Sequence, residues 1–211
     1  MRIVFILLIS IFISGCTSFG YHVTDEDVIF EIRSWNNEPI NKNMEMACST
    51  TFENLGDGYG VDGHSVFYKG YKIPKADPET FEKLKRGYSK DAQFVYWFTC
   101  RLTSAKPSEF EILGGSWAKD NQSVYHGQHL IQADAKSFHF LGENWAADKM
   151  SAYHALSLGL LGCESNKHPQ VKTFDNVDTG SFKVIGGSRA KDKRMKYNAP
   201  QQTPNSGSAE L

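Results

Sequence analysis

A six-residue phrase recurs along this chain, and its spacing limits the fold more than any other feature. It reads ACSTTF at Ala47–Phe52, ADPETF at Ala76–Phe81, AKPSEF at Ala105–Phe110, ADAKSF at Ala133–Phe138 and VDTGSF at Val177–Phe182. A second series keeps step with the first. An Asp follows an aromatic by three positions in Tyr59-Gly-Val-Asp62, Tyr88-Ser-Lys-Asp91, Trp117-Ala-Lys-Asp120 and Trp145-Ala-Ala-Asp148. Successive aspartates lie 29, 29 and 28 residues apart, and Arg189-Ala-Lys-Asp192 is a later copy without the aromatic. Beyond each Asp stands Val66, Val95, Val124 or Ala152, followed by Phe67, Tyr96, Tyr125 or Tyr153. Three residues after each motif Phe comes Leu55, Leu84, Leu113, Leu141 or Ile185. A fixed short period of this kind is the signature of a repeat array, in which one unit cannot bury its apolar face without a neighbour. A divergent unit leads, over about Tyr21–Gly56, and a truncated unit ends the series. Atypical terminal units cap such stacks.

The residue types in each unit specify β structure. Val66-Phe67-Tyr68, then Lys69-Gly70, then Tyr71-Lys72-Ile73 reads as two strands around a Gly-containing hairpin turn. Phe94–Phe98 is a continuous apolar run, suited to a strand buried on both faces. Tyr88-Ser89-Lys90 reads as a third strand, and the repeated Asp follows it. At that place Asp62, Asp91, Asp120, Asp148 and Asp192 are expected to accept loop N–H groups in Asx-turns. The phrase ADPETF starts with a good N-cap, Asp77, before Pro78. It reads as a short helical turn whose Phe, with the Leu three residues on, plugs one face of the core. The expected fold is mainly β: an array of about five β-meander repeats of ~29 residues with short helical turns.

The N-terminus follows a different logic. Arg2 precedes an apolar run from Ile3 to Ile13, too short for the ~20 residues of a spanning helix. A basic start, a short apolar stretch and small residues describe a secretory signal peptide, residues 1–15. The run Ile13-Ser14-Gly15-Cys16 resembles the lipobox of bacterial lipoproteins. That resemblance implies acylation of Cys16, by palmitate-type chains, and stable anchoring by several chains together. Thr17 stands where an Asp would imply retention at the inner membrane, so the resemblance implies the outer membrane. Residues 16–20 form a short tether, 21–198 the repeat domain, and 199–211, rich in Pro, Gln and Ser, a disordered tail.

The unit also resembles the bacterial DKNYY family. Its motif stands here as Lys119-Asp120-Asn121-Gln122-Ser123-Val124-Tyr125-His126-Gly127 and as Asp62-Gly-His-Ser-Val66-Phe67-Tyr68-Lys-Gly70, with a weaker copy at Ala190-Lys191-Asp192-Lys193. The resemblance covers about Tyr21 to Asn198. In two units Trp97 and His154 fill the second Tyr position and the turn Gly is missing. The family implies no known activity and supplies no catalytic residues.

The chemistry candidates are few. Net charge is −1, without a basic stripe, so nucleic acid is not an expected partner. Three cysteines remain beside Cys16, namely Cys48, Cys100 and Cys163, and in an oxidising compartment any one pair of them is open to a disulfide. No C-x-x-C, G-x-S-x-G or S-x-x-K occurs, and the Gly114-Gly115 and Gly186-Gly187 pairs precede no helix. The repeated aspartates offer one carboxylate per unit, where calcium takes six to eight oxygens. His126-Gly-Gln-His129 has a ligand-like spacing, but His126 and His154 fill the repeat position of Tyr68 and Trp97, as packing aromatics would. No metal or cofactor is expected. An insertion of about fifteen residues near Leu156–Thr173 is the most individual feature of the chain and a candidate binding or capping loop. The sequence therefore points to a non-enzymatic, outer-membrane lipoprotein with an envelope protein partner. The alternative is a glycan-binding module that uses Tyr68, Trp97, Tyr125 and Tyr153 as stacking platforms, which requires those rings to face outward. An envelope hydrolase built on the His and Asp residues is a third reading.

Overall fold

The computed structural model describes residues 20–33, 38–155, 163 and 171–200. The leader with Cys16, most of the 156–173 insertion and the tail from 201 lie outside the described residues. The described chain forms six antiparallel meanders in sequence order. The first sheet holds Gly20–Val23, Val28–Arg33 and Pro39–Asn43. The second holds Glu53–Gly56, Tyr59–Val61, Val66–Tyr68 and Tyr71–Lys72. The third holds Glu82–Lys83, Tyr88–Lys90, Val95–Trp97 and Cys100–Leu102, and the fourth Glu111–Gly114, Trp117–Lys119, Val124–His126 and His129–Ile131. The fifth holds His139–Gly142, Trp145–Ala147, Ser151–Ala155 and Val171–Asp175. The sixth has three strands, Lys183–Gly186, Arg189–Lys191 and Lys196–Asn198.

Why short strands suffice is visible in the packing. Five hydrophobic clusters fill five spaces, and each joins two consecutive sheets. In the fourth sheet Trp117 and Val124 belong to the core shared with the fifth sheet, while Ala118 and Tyr125 belong to the core shared with the third. Successive strand residues point to opposite faces, so a three-residue strand serves two cores at once. Val95–Trp97 and Val124–His126 are accordingly buried throughout. Lys69-Gly70 closes its hairpin with φ of 48° and 75°, the doubly left-handed turn that matches strand twist.

The expected Phe–Leu pairing on one face is corrected by the structure. The residues after each Phe extend as a first strand, and an odd separation along a strand reverses the face. Phe110 packs backward, against the third sheet, and Leu113 forward, against the fifth. Phe138 and Leu141 divide in the same way. The hexapeptide itself is a tight turn between sheets, with one short 3-10 helix at Ser49–Thr51. At Gly114 a Cβ would lie 2.3 Å from the Phe140 ring, so glycine here lets the first strands of the fourth and fifth sheets approach closely.

Candidate functional site

The five repeated aspartates occupy equivalent hairpins between the second and third strands of their sheets, and all five are buried. Their carboxylates perform one task. In Asp148, Oδ1 accepts the N–H groups of Met150 and Ser151, both at 2.8 Å. Oδ2 accepts the N–H of Asp134 at 2.9 Å and the hydroxyl of Tyr153 at 2.8 Å. Asp134 is the second residue of the hexapeptide in the same unit. One carboxylate thus joins the two series of repeats. The same separation of 14 residues recurs in Cys48–Asp62, Asp77–Asp91, Lys106–Asp120 and Asp178–Asp192. Tyr96 and Tyr197 donate to Asp91 and Asp192 as Tyr153 does to Asp148. Burial raises the carboxyl pKa of Asp91 and Asp148, but their hydrogen bonds outweigh it and hold both below the usual value. The residue before four of the five motif Phe residues adds another stitch: Thr51, Thr80, Ser137 and Ser181 accept the N–H that follows the repeated Asp.

A ladder of polar aromatic tips crosses between sheets. Tyr21 donates to Gly58 O at 2.9 Å and Tyr59 to Gly87 O at 3.0 Å. Tyr88 donates to Ser116 O at 2.7 Å, Trp117 to Asn144 O at 3.3 Å and Trp145 to Gly187 O at 2.9 Å. Each ring fills the space ahead of its own sheet while its tip satisfies a carbonyl in the next sheet. The sequence shows these aromatics as markers of the period; their role as cross-sheet donors depends on a neighbour about 28 residues away and has no local signal. In the last sheet among the described residues Arg189 takes this position.

The histidines sit within this packing. His126 packs at an angle against Trp117 and His154 edge-on against Trp145, with ring centroids 4.7 Å apart in both cases. Burial, then the neighbouring His129, lowers the His126 pKa to about 4, and burial lowers that of His154. Among the described residues no group of three His, Cys, Asp or Glu side chains is placed to hold a metal ion. Cys100 is bonded to Cys163, with Cα atoms 5.1 Å apart, and Cys48 is free. The disulfide ties the third sheet to the segment between the last two strands of the fifth. Tyr68, Trp97, Tyr125 and Tyr153 are buried, with exposures of 7, 6, 2 and 2%. Rings buried between sheets offer no face to a sugar, so the glycan-stacking alternative loses its platform.

A family model agrees with this unit. The DKNYY family model matches residues 8–99 and again residues 87–156, two overlapping stretches. The chain belongs to the DKNYY family. The DKNYY letters now have places in the fold: the Asp binds the hairpin, and the aromatic five residues on is buried against the preceding sheet. No curated protein and no solved structure matches the chain.

Proposed function

We propose that this DKNYY-family chain is a non-enzymatic, lipid-anchored module of the bacterial outer membrane whose β array presents a rigid surface to another envelope protein. One observation supports the reading above others: the residues that sequence alone marks as chemical are committed to architecture. The five aspartates are bound by backbone N–H groups, and His126 and His154 are packed on Trp117 and Trp145. What the array leaves for recognition is its outer surface. The anchor is Cys16, acylated after removal of residues 1–15.

The test is crosslinking of the tagged, lipidated protein in intact cells, with a Cys16→Ser variant as a control for anchoring. One dominant protein partner is the expected result. Recovery with the cell-wall sacculus alone, competed by soluble wall fragments, would overturn the protein-binding reading.

A further inference from the structure

The sixth sheet breaks the rules of the other repeats in two ways. Its forward face, covered in each preceding sheet by a successor, has no covering sheet among the described residues. Ile185 holds the position of Leu113 and is 49% exposed. Arg189 holds the position of Trp117, Lys196 that of Val124 and Asn198 that of His126, and all three are exposed. Its backward face, Val184, Ala190 and Tyr197, packs normally on the fifth sheet. The second departure is a fourth strand that is absent among the described residues. In the second to fifth sheets a fourth strand pairs with the third, whereas the sixth sheet ends at Lys196–Asn198. That strand has one edge paired with Arg189–Lys191 and the other without a strand among the described residues.

The charge on this face is one-sided. Lys183 lies opposite Lys191, and Lys191 opposite Lys196, so three lysines stand side by side across the sheet. Arg189 lies opposite Asn198 on the same face. Among the described residues none of these four cations forms an ion pair; Lys193, at the hairpin tip, pairs with Asp178 instead. The one acidic residue between 183 and 198 is Asp192, whose carboxylate is occupied by Asp178, Arg194, Met195 and Tyr197. A capping sheet needs a polar outer face, which mixed charges would provide. Like charges in cross-strand register weaken a sheet, so an all-basic row is an unfavourable way to make a cap.

We propose that the sixth sheet is a docking surface for an extended acidic segment of a partner protein, which pairs with Lys196–Asn198 as a fourth strand and sets its carboxylates against Lys183, Lys191 and Lys196. Strand addition supplies main-chain hydrogen bonds, and alternate side chains supply specificity. The lysines select acidic partners and reject basic ones. This inference rests on the protein-binding reading and assigns it a place and a chemistry.

The test uses the full-length protein in neutral detergent and a fluorescent peptide of alternating Glu and Val. The expected result is saturable binding that weakens as salt rises and slows amide exchange at residues 196–198. The K183E/K191E/K196E variant, which alters exposed side chains alone, is expected to bind at least about tenfold more weakly. Equal binding of a Lys-Val peptide, or of the acidic peptide interrupted by prolines, would overturn strand addition. Equal binding of inorganic polyphosphate would reduce the surface to an unselective cation patch and also overturn it. If exchange at 196–198 is already slow in the free protein and becomes fast when the chain is ended after Pro200, the slot belongs to the protein's own C-terminal segment. A crosslinked partner that survives the triple variant would refute this surface and leave the protein-binding reading intact; loss of every partner from the unaltered protein would refute that reading.

Discussion

Replacing the repeated aspartates one at a time by Ala should give graded losses of stability, ordered by how many donors each carboxylate holds and how deep they lie. Asp148 accepts four hydrogen bonds, and two of the donors, the Ser151 N–H and the Tyr153 hydroxyl, are buried. A buried donor left without an acceptor costs ~1–3 kcal/mol, so two cost ~2–6 kcal/mol. Tyr153 retains a second acceptor, Gln132 O at 3.3 Å, which places the expected loss for Asp148→Ala at about 3 kcal/mol. Asp120 accepts from Lys106, Gln122 and Ser123, all partly buried, and its loss should cost about 2 kcal/mol. Asp62 accepts from two partly buried donors, Cys48 and His64, against three at Asp120, and Asp62→Ala should cost about 1 kcal/mol. Asp148→Asn should fall between Asp148→Ala and the parent. Its oxygen can keep the Met150 and Ser151 donors while its amide meets two further donors. The assay is urea unfolding followed by tryptophan fluorescence with the disulfide intact. Equal losses at all three positions, or the largest at Asp62, would refute the claim that these carboxylates act through the donors they satisfy.

Three further outcomes follow from the packing. Neutral, buried His126 has its pKa lowered from 6.5 to about 4, so between those values the unfolded chain alone takes up the proton. Stability should therefore fall by about 3 kcal/mol as pH drops from about 6.5 to about 4. His126→Phe should make that decline shallower, and an unchanged pH profile would contradict it. The Cys100–Cys163 bond closes a separation of 63 residues, for which chain entropy gives about 4 kcal/mol; unfolding of C100S/C163S against the parent measures it, with no change in midpoint as the contrary result. Phe138→Ala, at a residue 2% exposed, should cost ~3–5 kcal/mol and Phe110→Ala less, because Phe110 is half-buried. The same urea assay ranks the two, and the reverse order would contradict the assignment of depth.

Much of the local structure was legible in the residues. The Val-aromatic-aromatic runs are strands because β-branched and aromatic side chains suit a pleated, packed surface. Lys69-Gly70 is a hairpin turn, and Asp62, Asp91, Asp120, Asp148 and Asp192 stand in tight turns. The first strand of each full unit was not legible. Glu111–Gly114 and its equivalents are short and poorly patterned, and Phe and Leu three apart fit a helical face as well as an extended one. The pairing of Cys100 with Cys163 was likewise open, since three cysteines permit three pairs and spacing favours none.

By itself, then, the sequence determined the period, the β character of the unit and the atypical nature of its ends, because these depend on residues close together in the chain. Tertiary structure alone decided which core each side chain enters, because a strand's parity has meaning only after its first residue is known. It also decided that Tyr59, Tyr88, Trp117 and Trp145 bind carbonyls of the following sheet, and that one carboxylate joins each hexapeptide to its hairpin. The same holds for the basic row of Lys183, Lys191 and Lys196: three lysines scattered along a chain become one surface when antiparallel register sets them side by side.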